Sequence, residues 1–211
     1  MISTGSITES RGSITDSRVA LVPGVLALLP EYASLTDPVA ELRAACLSAV
    51  SWLVDGAGPV SVVADAQGRR VAESLLGVVS TGSTTEGRSA TEGRSTTEGR
   101  STTEGRSSEA RGGAVLVVAN GSARRGEKAP GYLDERSFGF DTALGAALHG
   151  PDPTALAQLD VVLAAELLAG NAAGLRALGG ILTPGHRASV DYDADPFGVQ
   201  YWVMRWSCGS W

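Results

Sequence analysis

The stretch AVLVVANGSARRGEKAPGYLDERSFGFD, residues 114–141, decides the fold. Its opening run, 114–119, is uninterrupted apolar sequence and reads as a buried strand. The strand empties into a polar, glycine-containing loop that carries two adjacent arginines, Arg124 and Arg125. In an open α/β sheet the loop leaving the carboxyl end of a strand is where ligands usually bind. This loop is therefore the first place to look for a site.

Working outward, the remaining pattern alternates strands with helices. Residues 19–22 and 59–64 read as short strands. Residues 37–54 read as an amphipathic helix with Val39, Leu42, Ala45, Cys46, Ala49, Val50 and Leu53 on one side. Asp37 followed by Pro38 looks like an N-cap with proline at the first helical position, and Asp152 with Pro153 repeats the signature. Residues 70–79 fit helix or strand. Residues 140–149 read as a helix that stops at Gly150-Pro151, and further helical pieces cover 152–159, 161–168 and 172–178. Strands at 188–192 and 199–206 close the chain, separated by a turn at 193–198. This alternation implies a layered α/β domain.

Two segments break the pattern. GSITESR at 5–11 is followed by GSITDSR at 12–18, and TTEGRS-type hexapeptides run from 84 to 107. Periods of seven and six are too short for a solenoid unit with its own buried face. The second array contains no large apolar residue, so burial cannot offset its ordering entropy and a disordered linker is expected. The chain divides into one domain at 19–206, a repetitive N-terminal segment at 1–18, a low-complexity insertion at 81–113 and a tail at 207–211.

A net charge of −6 argues against broad nucleic-acid binding, which needs a basic face. A local basic patch is expected at Arg124, Arg125 and Lys128. The two cysteines, Cys46 and Cys208, are too few and too separated for a zinc site or a disulfide framework, and they fit a reduced, cytoplasmic setting. No apolar run is long enough to span a membrane, and the run at 19–30 is broken by Pro23 and does not read as a signal peptide. Oligomeric state has no signature here.

Several motifs bear on chemistry. Gly121 and Gly126 have the spacing of a phosphate-binding loop, but Glu127 precedes Lys128 and Ala129 offers no hydroxyl for magnesium. Arg124 and Arg125 could hold a carboxylate or phosphate, or one of them could pair with Glu127 or Asp134 and simply fix the loop. Asp191, Asp193 and Asp195 alternate, yet the late glutamate of a calcium loop is missing, and a solvated turn is expected. Trp202 and Trp206 share strand parity and are expected in the core. His149 sits at a helix C-terminus, where imidazolium suits the dipole, and His186 follows Pro184-Gly185 in a loop. Neither has metal-ligand spacing to a neighbour.

Taken together, VALVPGVLALLPE (19–31), DPVAELRAACLSAV (37–50), NGSARRGEKAPGYLDERSFGFD (120–141), DPTALAQLDVVLAAELLAGN (152–171) and DYDADPFGVQYWVMRW (191–206) resemble the actinobacterial LigB-like family, which is related to class III extradiol ring-cleavage dioxygenases. The resemblance implies a three-layer α/β/α sandwich with a central mixed sheet, here interrupted by low-complexity repeats. It also implies ferrous iron held by two histidines and a carboxylate, with open positions for a catechol-like substrate and oxygen. This sequence departs from that pattern. Where the first iron histidine is expected it reads Pro23-Gly24-Val25, where the loop histidine is expected it has Ala123 after Ser122, and 171–175 reads NAAGL. No histidine precedes His149.

The expectation is a scaffold of this family without its iron site, without ring-cleavage activity and without a cofactor, retaining a cleft for a small anionic ligand. The cleft residues expected are Asn120, Ser122, Arg124, Arg125, Lys128 and Tyr132, with the cations binding the anion and Ser122 and Tyr132 orienting it. Two alternatives stand beside it. One is a metal enzyme or hydrolase using His186 with Asp191 or Asp193. The other is a partner-binding protein that uses the repeat array as an arm.

Overall fold

The computed structural model describes residues 17–32, 36–55, 57–85 and 113–208. Five strands form one mixed sheet. They are β1 (Arg18–Val22), β2 (Val60–Val63), β3 (Ala114–Val118), β4 (His186–Ala194) and β5 (Tyr201–Cys208), in the order β2-β3-β1-β5-β4. β1 and β2 both pair with β3 in parallel, while β5 runs antiparallel to β1 and to β4. Six α-helices pack on the sheet: α1 (Ala40–Val54), α2 (Ala66–Thr85), α3 (Arg136–His149), α4 (Pro153–Ala157), α5 (Val161–Glu166) and α6 (Ala172–Ile181). This is an α/β fold. Among the described residues no helix is long and apolar enough to cross a membrane.

The period of two in a strand sorts its side chains onto two faces. Ala20, Val22, Leu116, Val118 and Val203 join one core cluster, with Leu42, Cys46 and Val50 of α1 and Val71 and Leu75 of α2. Val19, Leu21, Val117, Trp202, Met204 and Trp206 join the other, with Phe140, Leu144 and Leu148 of α3 and Leu156, Leu167, Leu175 and Leu178 from beyond it. Trp202 and Trp206 are core residues, as their parity predicts. Burial pushes the Cys46 thiol up to about 12, only partly countered by Arg43, so this thiol stays protonated and unreactive.

Several element ends differ from expectation for identifiable reasons. α1 starts at Ala40, not at Pro38. Asp37 Oδ1 accepts from Val39 N and Oδ2 from Arg43 Nε, so Asp37 stabilises a turn ahead of the helix. The 70–79 segment is entirely helical, within α2, and that helix continues to Thr85, into the range expected for the insertion. Ser80 and Thr81 support this extension by bonding back to Leu76 O and Gly77 O. The rest of the hexapeptide array and residues 1–16 lie outside the described residues. α3 starts four residues before Phe140, because Asp134 Oδ1 accepts from Arg136 N and Ser137 is fully buried with its hydroxyl on Arg124 O. Asp152 and Pro153 open α4 as read, with Asp152 Oδ1 accepting from Thr154 N and Ala155 N.

Candidate functional site

The loop after β3 is fixed on three sides by backbone bonds. Asn120 N donates to Gly170 O, Gly121 N to Gln200 O, Ala123 N to Leu167 O and Arg125 N to Gly198 O. The residues just before β5, Gly198 and Gln200, are thereby drawn against the loop at the carboxyl end of β3. Gly121 is required here. A Cβ at that position would stand 2.7 Å from Asp141 Oδ1 and 2.9 Å from Trp202 Cζ3.

A charged network grows from this contact. Ser122 N and Oγ both donate to Asp141, at 2.9 and 2.5 Å. Asp141 is 3 % exposed and comes from the inward face of α3. Burial raises its carboxyl above the usual range, against the opposing pull of the Ser122 and Arg125 bonds. Arg125 donates Nη1 to Asp141 at 3.2 Å and Nε to Asp195 at 2.8 Å, and its guanidinium lies 4.9 Å from the Phe138 ring centroid. Burial alone would lower the Arg125 pKa, but the bonds to Asp195 and Asp141 outweigh it and hold the guanidinium firmly charged.

Beside this network lies a polar cavity of about 210 Å³. One wall is a strip of α3 made of Asp141, Thr142, Gly145, Ala146 and His149, residues that fall on one side of a helix. Arg125, Asp193, Gln200 and Trp202 close the other side. His149 Nε2 stands 3.2 Å from Asp193 Oδ2, and Gln200 Nε2 donates to Asp193 Oδ1 at 2.7 Å. The cavity sits at the carboxyl-end edge of the parallel strands, where an open α/β sheet usually binds its ligand. A second hollow, of about 390 Å³ between α3, α4 and α5, is apolar except for Asp160, whose Oδ1 is spent capping α5.

Of the six residues expected in a cleft, Arg125 lines the cavity and Ser122 stands behind it, 0 % exposed. Asn120 is half-buried, with its amide on Gly121 O. Arg124 donates Nη1 to Glu166 O, and its Nε is enclosed without a partner. Lys128 and Tyr132 lie on the exposed part of the loop, Tyr132 with φ of 57°. The two arginines are therefore tied down, though not to Glu127 or Asp134. Asp141, Asp195 and a backbone carbonyl hold them, and neither offers a wholly unpaired fork to an anion. Asp134 pairs instead with Arg136, whose bonds hold its carboxylate at about 2.

The aspartates of 191–195 do not converge on one point, and Asp193 and Asp195 are exposed where β4 turns toward β5, as the solvated turn expected there. Asp191 pairs with Arg205, Asp193 with His149, and Asp195 with Arg125. A bulge between Val190 and Tyr192 interrupts the strand's alternation at this point. His186 is not brought to any of them. It is 4 % exposed, at the start of β4, about 16 Å from Asp191 at a strand's rise of about 3.3 Å per residue. Thr183 N donates to His186 Nδ1, which assigns the ring proton to Nε2, 3.0 Å from Ser17 Oγ. That tautomer donates to the serine and cannot deprotonate it.

Sequence reading missed Asp141, Thr142, Gln200 and the pairing of His149 with Asp193. One signal was available for Asp141: an acidic residue on the apolar stripe of a helix is buried only when it has partners. No protein-family model and no curated protein matches this chain.

Proposed function

We propose that this chain is a small-molecule-binding protein on an extradiol dioxygenase-like α/β/α scaffold, and that it does not carry ferrous ring-cleavage chemistry. The observation that carries this reading is the cavity at the carboxyl-end edge of the strands, lined by Arg125, Asp141, His149, Asp193 and Gln200. It has the position of a ligand site in such a sheet and the mixed polar lining that fixes a ligand's orientation.

The positions at which the resemblance implies iron ligands do not fit the metal. Gly24 carries no side chain and so no donor atom for a metal. Ala123 is 9 % exposed and offers no donor atom. Asn171 spends its amide inside the fold, Nδ2 donating to Val118 O and Oδ1 accepting from Gly174 N. Among the described residues no group of three or more His, Cys, Asp or Glu side chains is arranged to hold a metal ion. Ferrous chemistry of this kind needs imidazole and carboxylate together.

The test is anaerobic incubation with ferrous salt, removal of free metal, and measurement of bound iron and of oxygen uptake with catechol. Bound iron well below one equivalent and no catechol-dependent uptake are expected. Stoichiometric iron with ring opening would overturn the reading.

A further inference from the structure

We propose that the cavity between α3 and the start of β5 takes a small organic amine in its ammonium form. This rests on the reading of that cavity as a binding site. The charge balance is the first argument. Three carboxylates, Asp141, Asp193 and Asp195, meet one guanidinium and one imidazole. Arg125 is shared between two of those carboxylates. Asp193 is left with a neutral amide from Gln200 and with His149, which matches its charge only when protonated. An anion entering here meets carboxylates whose countercharge is already committed. Asp195 lies outside the cavity lining and Asp141 is buried with both oxygens engaged, so a cation meets the half-exposed Asp193 carboxylate, and a charge-assisted bond to a carboxylate is the stronger kind.

Shape and size narrow the class. About 210 Å³ corresponds to roughly seven waters at about 30 Å³ each, space for a ligand of roughly five to ten heavy atoms. The wall opposite Asp193 is low because α3 carries Gly145 and Ala146 there. A Cβ at Gly145 would already touch Trp202 Cζ2 at 3.4 Å. The buried Trp202 indole backs this side, and Gly145 and Ala146 give it an apolar floor. A short alkyl or arylalkyl ammonium fits both halves, its charge at Asp193 and its carbon chain along Gly145 and Ala146.

The experiment is titration calorimetry of the full chain at about pH 7.5 with butylamine, phenethylamine, butyrate and butanol. The amines are expected to bind at least tenfold more tightly than butyrate or butanol. D193N preserves an acceptor for Gln200 while removing the charge, and it should weaken amine binding tenfold or more. A146L should abolish binding of every probe by filling the cavity, and circular dichroism confirms that both variants are folded. Butyrate or butanol binding that A146L removes, with no preference for amines, would overturn the ammonium assignment and leave the cavity as a site. Amine binding unchanged in both variants would overturn it too, as non-specific attraction. No binding by any probe at millimolar concentration would overturn both readings.

Discussion

Ser122 Oγ donates to Asp141 Oδ2 across 2.5 Å, and neither residue is more than 3 % exposed. The bond joins the loop after β3 to α3, 19 residues further along the chain. S122A removes the hydroxyl and leaves a buried carboxylate oxygen with only Arg125, a loss of about 1–3 kcal/mol. D141A removes the common acceptor of Ser122 N, Ser122 Oγ and Arg125 and leaves Arg125 to Asp195 alone; buried donors left without a partner cost about 1–3 kcal/mol each, so the loss should exceed that of S122A. Thermal melts should rank wild type above S122A and S122A above D141A. Equal midpoints for S122A and wild type would show that this bond contributes nothing.

Two glycines five residues apart in the same loop should respond oppositely to alanine. At Gly121 a methyl group meets Asp141, Gln200 and Trp202 at 2.7–2.9 Å, all of them packed. G121A should lose about 1–3 kcal/mol or more by overpacking and should distort the cavity. At Gly126 nothing lies within 4 Å, and G126A should stay within about 0.5 kcal/mol of wild type. Urea unfolding of the pair measures the contrast directly, and comparable losses for both would refute it.

Asn171 caps α6 from a left-handed conformation, with φ of 53°, and ties the helix to the end of β3 through Val118 O. N171A loses the cap, worth about 1 kcal/mol, and puts a Cβ without compensating bonds in a region costing about 1–2 kcal/mol. N171G loses the same bonds without the steric cost. The urea midpoint should therefore fall in the order wild type, N171G, N171A. A midpoint for N171A at or above that of N171G would remove the backbone argument.

How much of this was legible in the sequence follows from the range of each interaction. The shared face of Trp202 and Trp206 was readable because residues of equal parity in a strand point the same way. The Asp152-Pro153 start was readable because a cap needs only three neighbouring residues. The same signature misplaced the start of α1, because Asp37 is engaged by Arg43, six residues further on. The cavity was the least legible part. Its residues come from the loop after β3, from α3 and from the β4–β5 hairpin, and Arg125 meets Asp195 across 70 positions. No local period encodes such a meeting. The loop itself was correctly located, but its arginines were read without the carboxylates that arrive from elsewhere.

Acid should loosen the opposite end of the sheet through His186. Burial holds its imidazole pKa below the ordinary value of about 6.5, and protonating Nδ1 would place two donors face to face with Thr183 N. Below about pH 6.5 the unfolded chain takes up a proton that the folded chain still refuses. Stability is therefore full above that pH and is lost as pH falls through the lower folded value. Unfolding free energies measured from about pH 7.5 to about pH 5 should fall more steeply for wild type than for H186Q. Parallel curves would show that His186 is not responsible.

The connection from β2 to β3 enters α2 at the carboxyl-end edge of the sheet and, after Thr85, rejoins it at Gly113, on the amino side of β3. The described ends of this connection, Thr85 and Gly113, are not among the residues that line the cavity. Insertion or deletion of whole six-residue units between them would leave the residues of every strand and of the cavity wall unchanged in sequence.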